Sequence, residues 1–259
     1  MKGQKLRVYF SQNLQYLFNI WVETIQEGSV SNLHDLRVQL KRMKAVYSFL
    51  QWVYGKSSLG KVPHLTRDIF QQTGEWRELQ ILQIWLTKEK IQLHEQLHCS
   101  DEDVNQIGKT VKLTLQKKYS LYTKQIKKVE QLVEKTHPVL IDQYWLQLSN
   151  SLKKETKKSK LKDWHELRKT CKKWLYTINW LGKDWVPEQK TVKEFHQLEK
   201  NIGDWNECLM ILQRLEDVEN MDKASLEIRQ QYAMAMANIR KKMNTMEKKT
   251  RQQLKKITN

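Results

Sequence analysis

Apolar residues recur three and four positions apart along almost the whole chain, the spacing that gives an α-helix one buried face. The pattern predicts eight helices, at about 4–26, 31–54, 64–98, 102–136, 139–157, 161–182, 188–219 and 223–256. Helix-ending or turn-forming residues separate them: Glu27-Gly28-Ser29, Gly55 with Ser57-Ser58-Leu59-Gly60, Ser100-Asp101, His137-Pro138, Gly182 and Pro187. No stretch alternates apolar and polar residues as a half-buried strand would. The fold class read from this pattern is all-α.

The break at His137-Pro138 lies near the middle, and the two sides share short motifs in the same order. Leu33-His34-Asp35-Leu36-Arg37, followed by Lys41-Arg42, reappears 131 residues later as Trp164-His165-Glu166-Leu167-Arg168, followed by Lys172-Lys173. Gly74-Glu75-Trp76-Arg77-Glu78 reappears 129 residues later as Gly203-Asp204-Trp205-Asn206-Glu207. Two matches in register predict two pseudo-symmetric four-helix repeats, about 1–137 and 138–259, forming one compact eight-helix domain.

Charge adds a direction to this picture. Lys and Arg number 46 against 29 Asp and Glu, a formal net charge of +17, which attracts nucleic acid, anionic lipid or another polyanion. On the predicted second helix, His34, Arg37, Lys41 and Lys44 fall within an arc of roughly 80°, while Leu33, Leu36, Leu40, Met43, Tyr47 and Leu50 fill the neighbouring arc. The same helix thus packs and presents cations. In the second half His165, Arg168 and Lys172 take that arc beside Trp164, Leu167, Cys171, Trp174, Ile178 and Leu181, with Leu175 where Lys44 stood. A charge row is ordinarily a solvated helix face, and a histidine near a helix start ordinarily packs or caps. Duplication of the row at corresponding places favours an anion site.

At these residues the chain resembles the conserved histidine α-helical domain family, CHAD. In that family the second helix of each four-helix repeat carries His-x-x-Arg and a basic cluster, and the third a Leu-Gly-x-x-Arg-Asp type motif. His34, Arg37, Lys41, Arg42 and Lys44 match the first motif, and Gly74 to Glu78 match the second with Glu78 in place of Asp. His165, Arg168, Lys172 and Lys173 match in the other repeat, where Leu175-Tyr176 replaces an Arg-Tyr pair. The resemblance implies non-catalytic binding of inorganic polyphosphate in a basic central groove, beside triphosphate-processing tunnel enzymes or at polyphosphate granules. Arg77 would add a contact, Glu78 and Glu207 would orient cations, and Lys112, Lys117, Arg229 and Arg240 are further lining candidates.

Other readings bring different chemistry. His94-Glu95-Gln96-Leu97-His98 is a literal H-E-x-x-H, which on a helix would set two imidazoles for zinc, but spacing indicates no third ligand. RNA or DNA binding would use the charge and the 10 Trp, yet Trp52, Trp76, Trp85, Trp174 and Trp205 sit at apolar helical positions that suit packing. A scaffold docking an acidic protein is a third alternative. With no phosphate-cradling glycine loop, nucleophile elbow or paired-carboxylate site, no enzymatic activity and no cofactor are expected. Three cysteines without CxxC spacing read as buried thiols, and no apolar run of membrane length or leader-like start is seen, so the expected location is cytoplasmic.

Overall fold

The chain punctuates its helices with local chemistry that the structure makes explicit. The computed structural model describes residues 2–91, 100–158, 160–181, 187–219 and 226–258. The helices are α1 Lys2–Gln26, α2 Val30–Tyr54, α3 Val62–Glu89, α4 Asp101–Lys135, α5 Pro138–Lys158, α6 Trp164–Ile178, α7 Gln189–Glu219 and α8 Leu226–Thr258, with short 3-10 helices at Lys56–Leu59 and Leu161–Asp163. No strand occurs among the described residues.

Ser29 caps α2 by accepting the Asn32 amide at 3.1 Å, and Gly55 ends it at φ 86°. Ser100 opens α4 with a reciprocal cap. Its hydroxyl oxygen accepts the Asp103 amide at 3.2 Å, while its own amide donates to the Asp103 carboxylate at 3.0 Å. Pro138 begins α5, where its missing amide hydrogen has no partner to lose.

Several ends differ from the periodicity, among them the end of α6 at Ile178 and not 182, and two have a visible local cause. The predicted third helix runs to residue 98, of which 92–98 lie outside the described residues, and α3 stops at Glu89. Lys90 takes the left-handed conformation at φ 55°, its amide bonds the Thr87 carbonyl at 3.2 Å, and the Ile91 amide reaches back to Leu86 at 3.0 Å. This is a Schellman stop built without the glycine that would have announced it. The sixth helix begins at Trp164, three residues later than expected, because Asp163 draws Leu161–Asp163 into a 3-10 turn by accepting the Lys160 amide at 3.1 Å.

The helices distribute over two compact units. One comprises Met1–Glu78, Asn105–Ser149 and Lys173–Val186, the other Leu79–Val104, Asn150–Lys172 and Pro187–Asn259. In the first, Leu6, Phe10, Leu14, Leu17 and Trp21 of α1 are buried with Leu33, Leu36, Leu40, Met43, Tyr47 and Leu50 of α2 and Leu115, Tyr122, Ile126 and Val129 of α4. The six apolar positions assigned to the packing arc of α2 are thus all buried. Trp21 donates its indole N–H to the Leu115 carbonyl at 3.2 Å, giving a wholly buried ring its one polar partner. Tyr47 and Tyr122 share a hydrogen bond between their hydroxyls, and burial pushes the Tyr122 phenol up to about 12.

In the second unit Trp164, Leu167 and Cys171 of α6, Phe195, Leu198, Ile202, Ile211 and Leu215 of α7, and Tyr232, Met236, Ile239 and Leu254 of α8 are buried. Cys171 and Cys208 are buried free thiols, their pKa raised chiefly by burial; Cys99 lies outside the described residues. Of the tryptophans expected to pack, Trp76 and Trp174 are buried and Trp85 and Trp205 half-buried. Trp52 is instead 38 % exposed, lying against the Tyr144 ring at 5.5 Å.

Trp76 fills a space bounded by glycine. A Cβ added at Gly108 of α4 would stand 2.8 and 2.9 Å from its ring atoms, and one at Gly28 would stand 2.7 Å away. Because Trp76 is only 4 % exposed, the ring has nowhere to retreat. Gly108→Ala should therefore destabilise the protein by about 1–2 kcal/mol, overpacking outweighing the helix propensity gained. Urea denaturation followed by tryptophan fluorescence measures it.

Candidate anion-binding helix faces

The basic face of α2 divides by depth. His34 and Lys44 are exposed, whereas Arg37, Lys41 and Arg42 are half-buried. Arg37 leans onto α3: its Nη1 donates to the Phe70 carbonyl at 2.6 Å and to the Thr73 hydroxyl at 3.0 Å, and its guanidinium lies 3.9 Å from the centroid of the Phe70 ring. Lys41 lies over the same ring at 5.2 Å. Burial lowers the Arg37 pKa to about 10, with Glu78 raising it and Arg77 lowering it, so at neutral pH the group is fully charged. Arg77, half-buried on α3, and the exposed Glu78 therefore lie within the field of Arg37, Glu78 as the counter-charge expected to orient it.

The equivalent contact recurs on α6. The Arg168 Nε donates to the Glu199 carbonyl at 3.4 Å and pairs with the Glu199 carboxylate at 2.9 Å, and Lys172 joins that carboxylate at 3.1 Å. Phe70 and Glu199 stand four residues before Gly74 and Gly203 respectively, so one position on the third helix of each motif pair receives the arginine and the lysine of the second. An aromatic face performs this task in one case and a carboxylate in the other. The two motifs of each pair thus meet, the arginine of one lying beside the glycine of the other. Gly74 lies beside Arg37, with 3.6 Å between an added Cβ and Nη1, and Gly203 lies beside Arg168, with only 2.7 Å to Nη2.

The remaining candidates fall apart into different roles. Arg42 donates to Gln39 at 3.1 Å; Gln39 is buried and donates in turn to the Asn13 carbonyl at 2.9 Å and side-chain oxygen at 2.8 Å. Gln39, Asn13, Phe70 and Glu199 are the partners that reading the cations alone did not reveal. Their only trace was a polar residue within an otherwise apolar stripe and a fixed distance to the glycine. His165 is exposed and Lys173 half-buried, the Lys173 ammonium 5.5 Å from the Tyr144 ring centroid. Leu175, where a cation was missing, is buried, so that position is core in α6 and surface in α2.

Lys112 is engaged as a helix cap, donating to the Gln26 and Glu27 carbonyls at the end of α1 at 3.2 and 2.9 Å. Arg240 pairs with Glu216 at 2.8 Å, Lys117 is exposed and Arg229 half-buried. The H-E-x-x-H at His94–His98 lies outside the described residues, and among the described residues no three His, Cys, Asp or Glu are grouped to hold a metal ion. No helix among them is long and apolar enough to cross a membrane.

The family model of the CHAD domain matches residues 10–216. The crystal structure of the CHAD domain from the plant Ricinus communis superposes with a TM-score of 0.69 at 14% identity, covering 97% of this chain and 91% of that one, a likeness of fold. No curated protein matches the chain.

The two glycines separate by substitution. Gly74→Ala, with ordinary contact distance available, should be neutral or stabilising by up to about 1 kcal/mol, while Gly203→Ala should displace Arg168 from Glu199 and destabilise by about 1–2 kcal/mol. Thermal unfolding of both variants beside the wild type reads the difference.

Proposed function

The chain belongs to the CHAD domain family, and from that premise we propose that it binds inorganic polyphosphate without turning it over, through the basic face of α2 and, more weakly, that of α6. The observation that carries the reading is the arrangement on α2, where the exposed His34 and Lys44 flank the half-buried Arg37, Lys41 and Arg42 on one helix face of a protein with net charge +17. Phosphates repeating along a chain answer such a row charge for charge, and releasing their counterions favours association.

In this reading the members of the set act at different depths. His34, Lys41, Arg42 and Lys44 meet the anion, Arg77 lends its field from α3, and Arg37 holds the face against Phe70 and Thr73. On α6, His165, Arg168, Lys172 and Lys173 form the corresponding set. Glu199 already neutralises part of it, and Leu175 contributes no cation, which is why α2 is the stronger face. Lys117 and Arg229 are outlying contributors, whereas Lys112 and Arg240 are committed to the α1 carbonyls and to Glu216. A cytoplasmic location, at polyphosphate granules or beside a triphosphate tunnel enzyme, would bring the chain to this ligand.

Affinity for long-chain polyphosphate should fall linearly in a plot of log affinity against log salt. Lys41→Gln combined with Lys44→Gln should lower it by about tenfold or more and reduce the salt slope by about 2, with helicity unchanged. Fluorescence anisotropy of labelled polyphosphate across a salt series measures both. A salt-independent affinity, or tighter binding of RNA than of polyphosphate in competition, would refute the reading.

A further inference from the structure

The antiparallel pair α7 and α8 forms an open polar groove of about 930 Å³ on the side of α7 away from the His-x-x-Arg face of α6. On α7, Glu199 and Gly203 turn towards Arg168, whereas Lys193 and Gln197 line the groove; Gln197 and Glu199 stand about 200° apart around the helix. The two faces of α7 therefore serve different surfaces.

The floor of the groove is an ordered chain of carboxamides. Gln197 donates to Asn201 at 2.8 Å, Asn201 donates to Gln253 of α8 at 2.9 Å, and Gln253 donates back to the Glu194 carbonyl on α7 at 2.7 Å. Each link fixes the amide orientation of the next, so the floor offers preset dipoles. Around it stand four exposed lysines: Lys190 and Lys193, one helical turn apart on α7, and Lys249 and Lys256, two turns apart on α8. None of the four is hydrogen-bonded or ion-paired among the described residues. The one carboxylate in the lining is that of Glu194.

This contrasts with the motif cations. Arg37 and Arg168 have partners on the third helices, while these four lysines share one groove with the single carboxylate of Glu194. A volume of this size suits a small ligand, and the charge demands an anion with several negative groups. We propose that the α7–α8 groove is a second anion site, taking a compact oligophosphate, free or carried on a polyol. The lysines pair with its phosphates, and the carboxamide floor, able both to donate and to accept, faces its remaining oxygens.

Isothermal titration of the full chain with tripolyphosphate and with inositol hexakisphosphate tests the site. Lys193→Gln combined with Lys249→Gln should weaken binding of at least one probe by about tenfold, and the probe that binds identifies a free or a polyol-borne phosphate. Made on top of Lys41→Gln with Lys44→Gln, the groove substitutions should still cause that tenfold loss, and long polyphosphate should still bind the α2 face in the groove variant, so this site and the α2 reading fail separately. Absence of binding by either probe, unchanged affinity in the groove variant, or an equal loss in the control Lys153→Gln with Lys154→Gln on α5 would overturn the proposal.

Discussion

An arginine laid across the helix that follows it is the contact on which both basic faces depend. A guanidinium on α2 or α6 reaches a backbone carbonyl on α3 or α7, one turn before a glycine that leaves it room. Hydrogen bonds from a charged donor to a part-buried acceptor contribute roughly 1.5–3 kcal/mol, more than a surface ion pair. Where the receiving side chain is Phe70, the guanidinium and the ammonium lie over an aromatic face; where it is Glu199, they pair with a carboxylate. The two faces thus differ at this position and again where Leu175 of α6 stands for Lys44 of α2.

Much of this was legible in the chain itself. The 3.6-residue period located all eight helices, and the buried arc of α2 follows its six apolar positions without exception, because burying a stripe of large side chains dominates helix orientation. The two motifs were likewise visible, in order and in register. Their physical link was not, since a sequence does not state that the Arg of one motif rests beside the Gly of the other. The end of α3 was missed for a different reason. A lysine at φ 55° takes a conformation usually reserved for glycine, and the Schellman bonds compensate its cost.

The candidate site was legible in kind more than in detail. Reading the cations as a row treats them as equals, yet depth makes them unequal: His34 and Lys44 meet solvent, Arg37 is engaged by α3, Arg42 by Gln39, and Lys112 by the carbonyls that end α1. Leu175 looked like a lost contact and is instead a core residue. Conversely, the lysines that line the α7–α8 groove lie outside any motif and read as ordinary solvated charge until the groove brings them together.

Whether Arg37 supports the face or touches the ligand is open to direct measurement. Unfolding free energy and polyphosphate affinity measured together on Arg37→Met decide it. Loss of the bonds to Phe70 and Thr73 should lower stability by about 2–3 kcal/mol, while affinity, measured where the variant remains folded, should fall by no more than one phosphate contact contributes. Unchanged stability with binding abolished would contradict the account and make Arg37 a direct ligand of the anion.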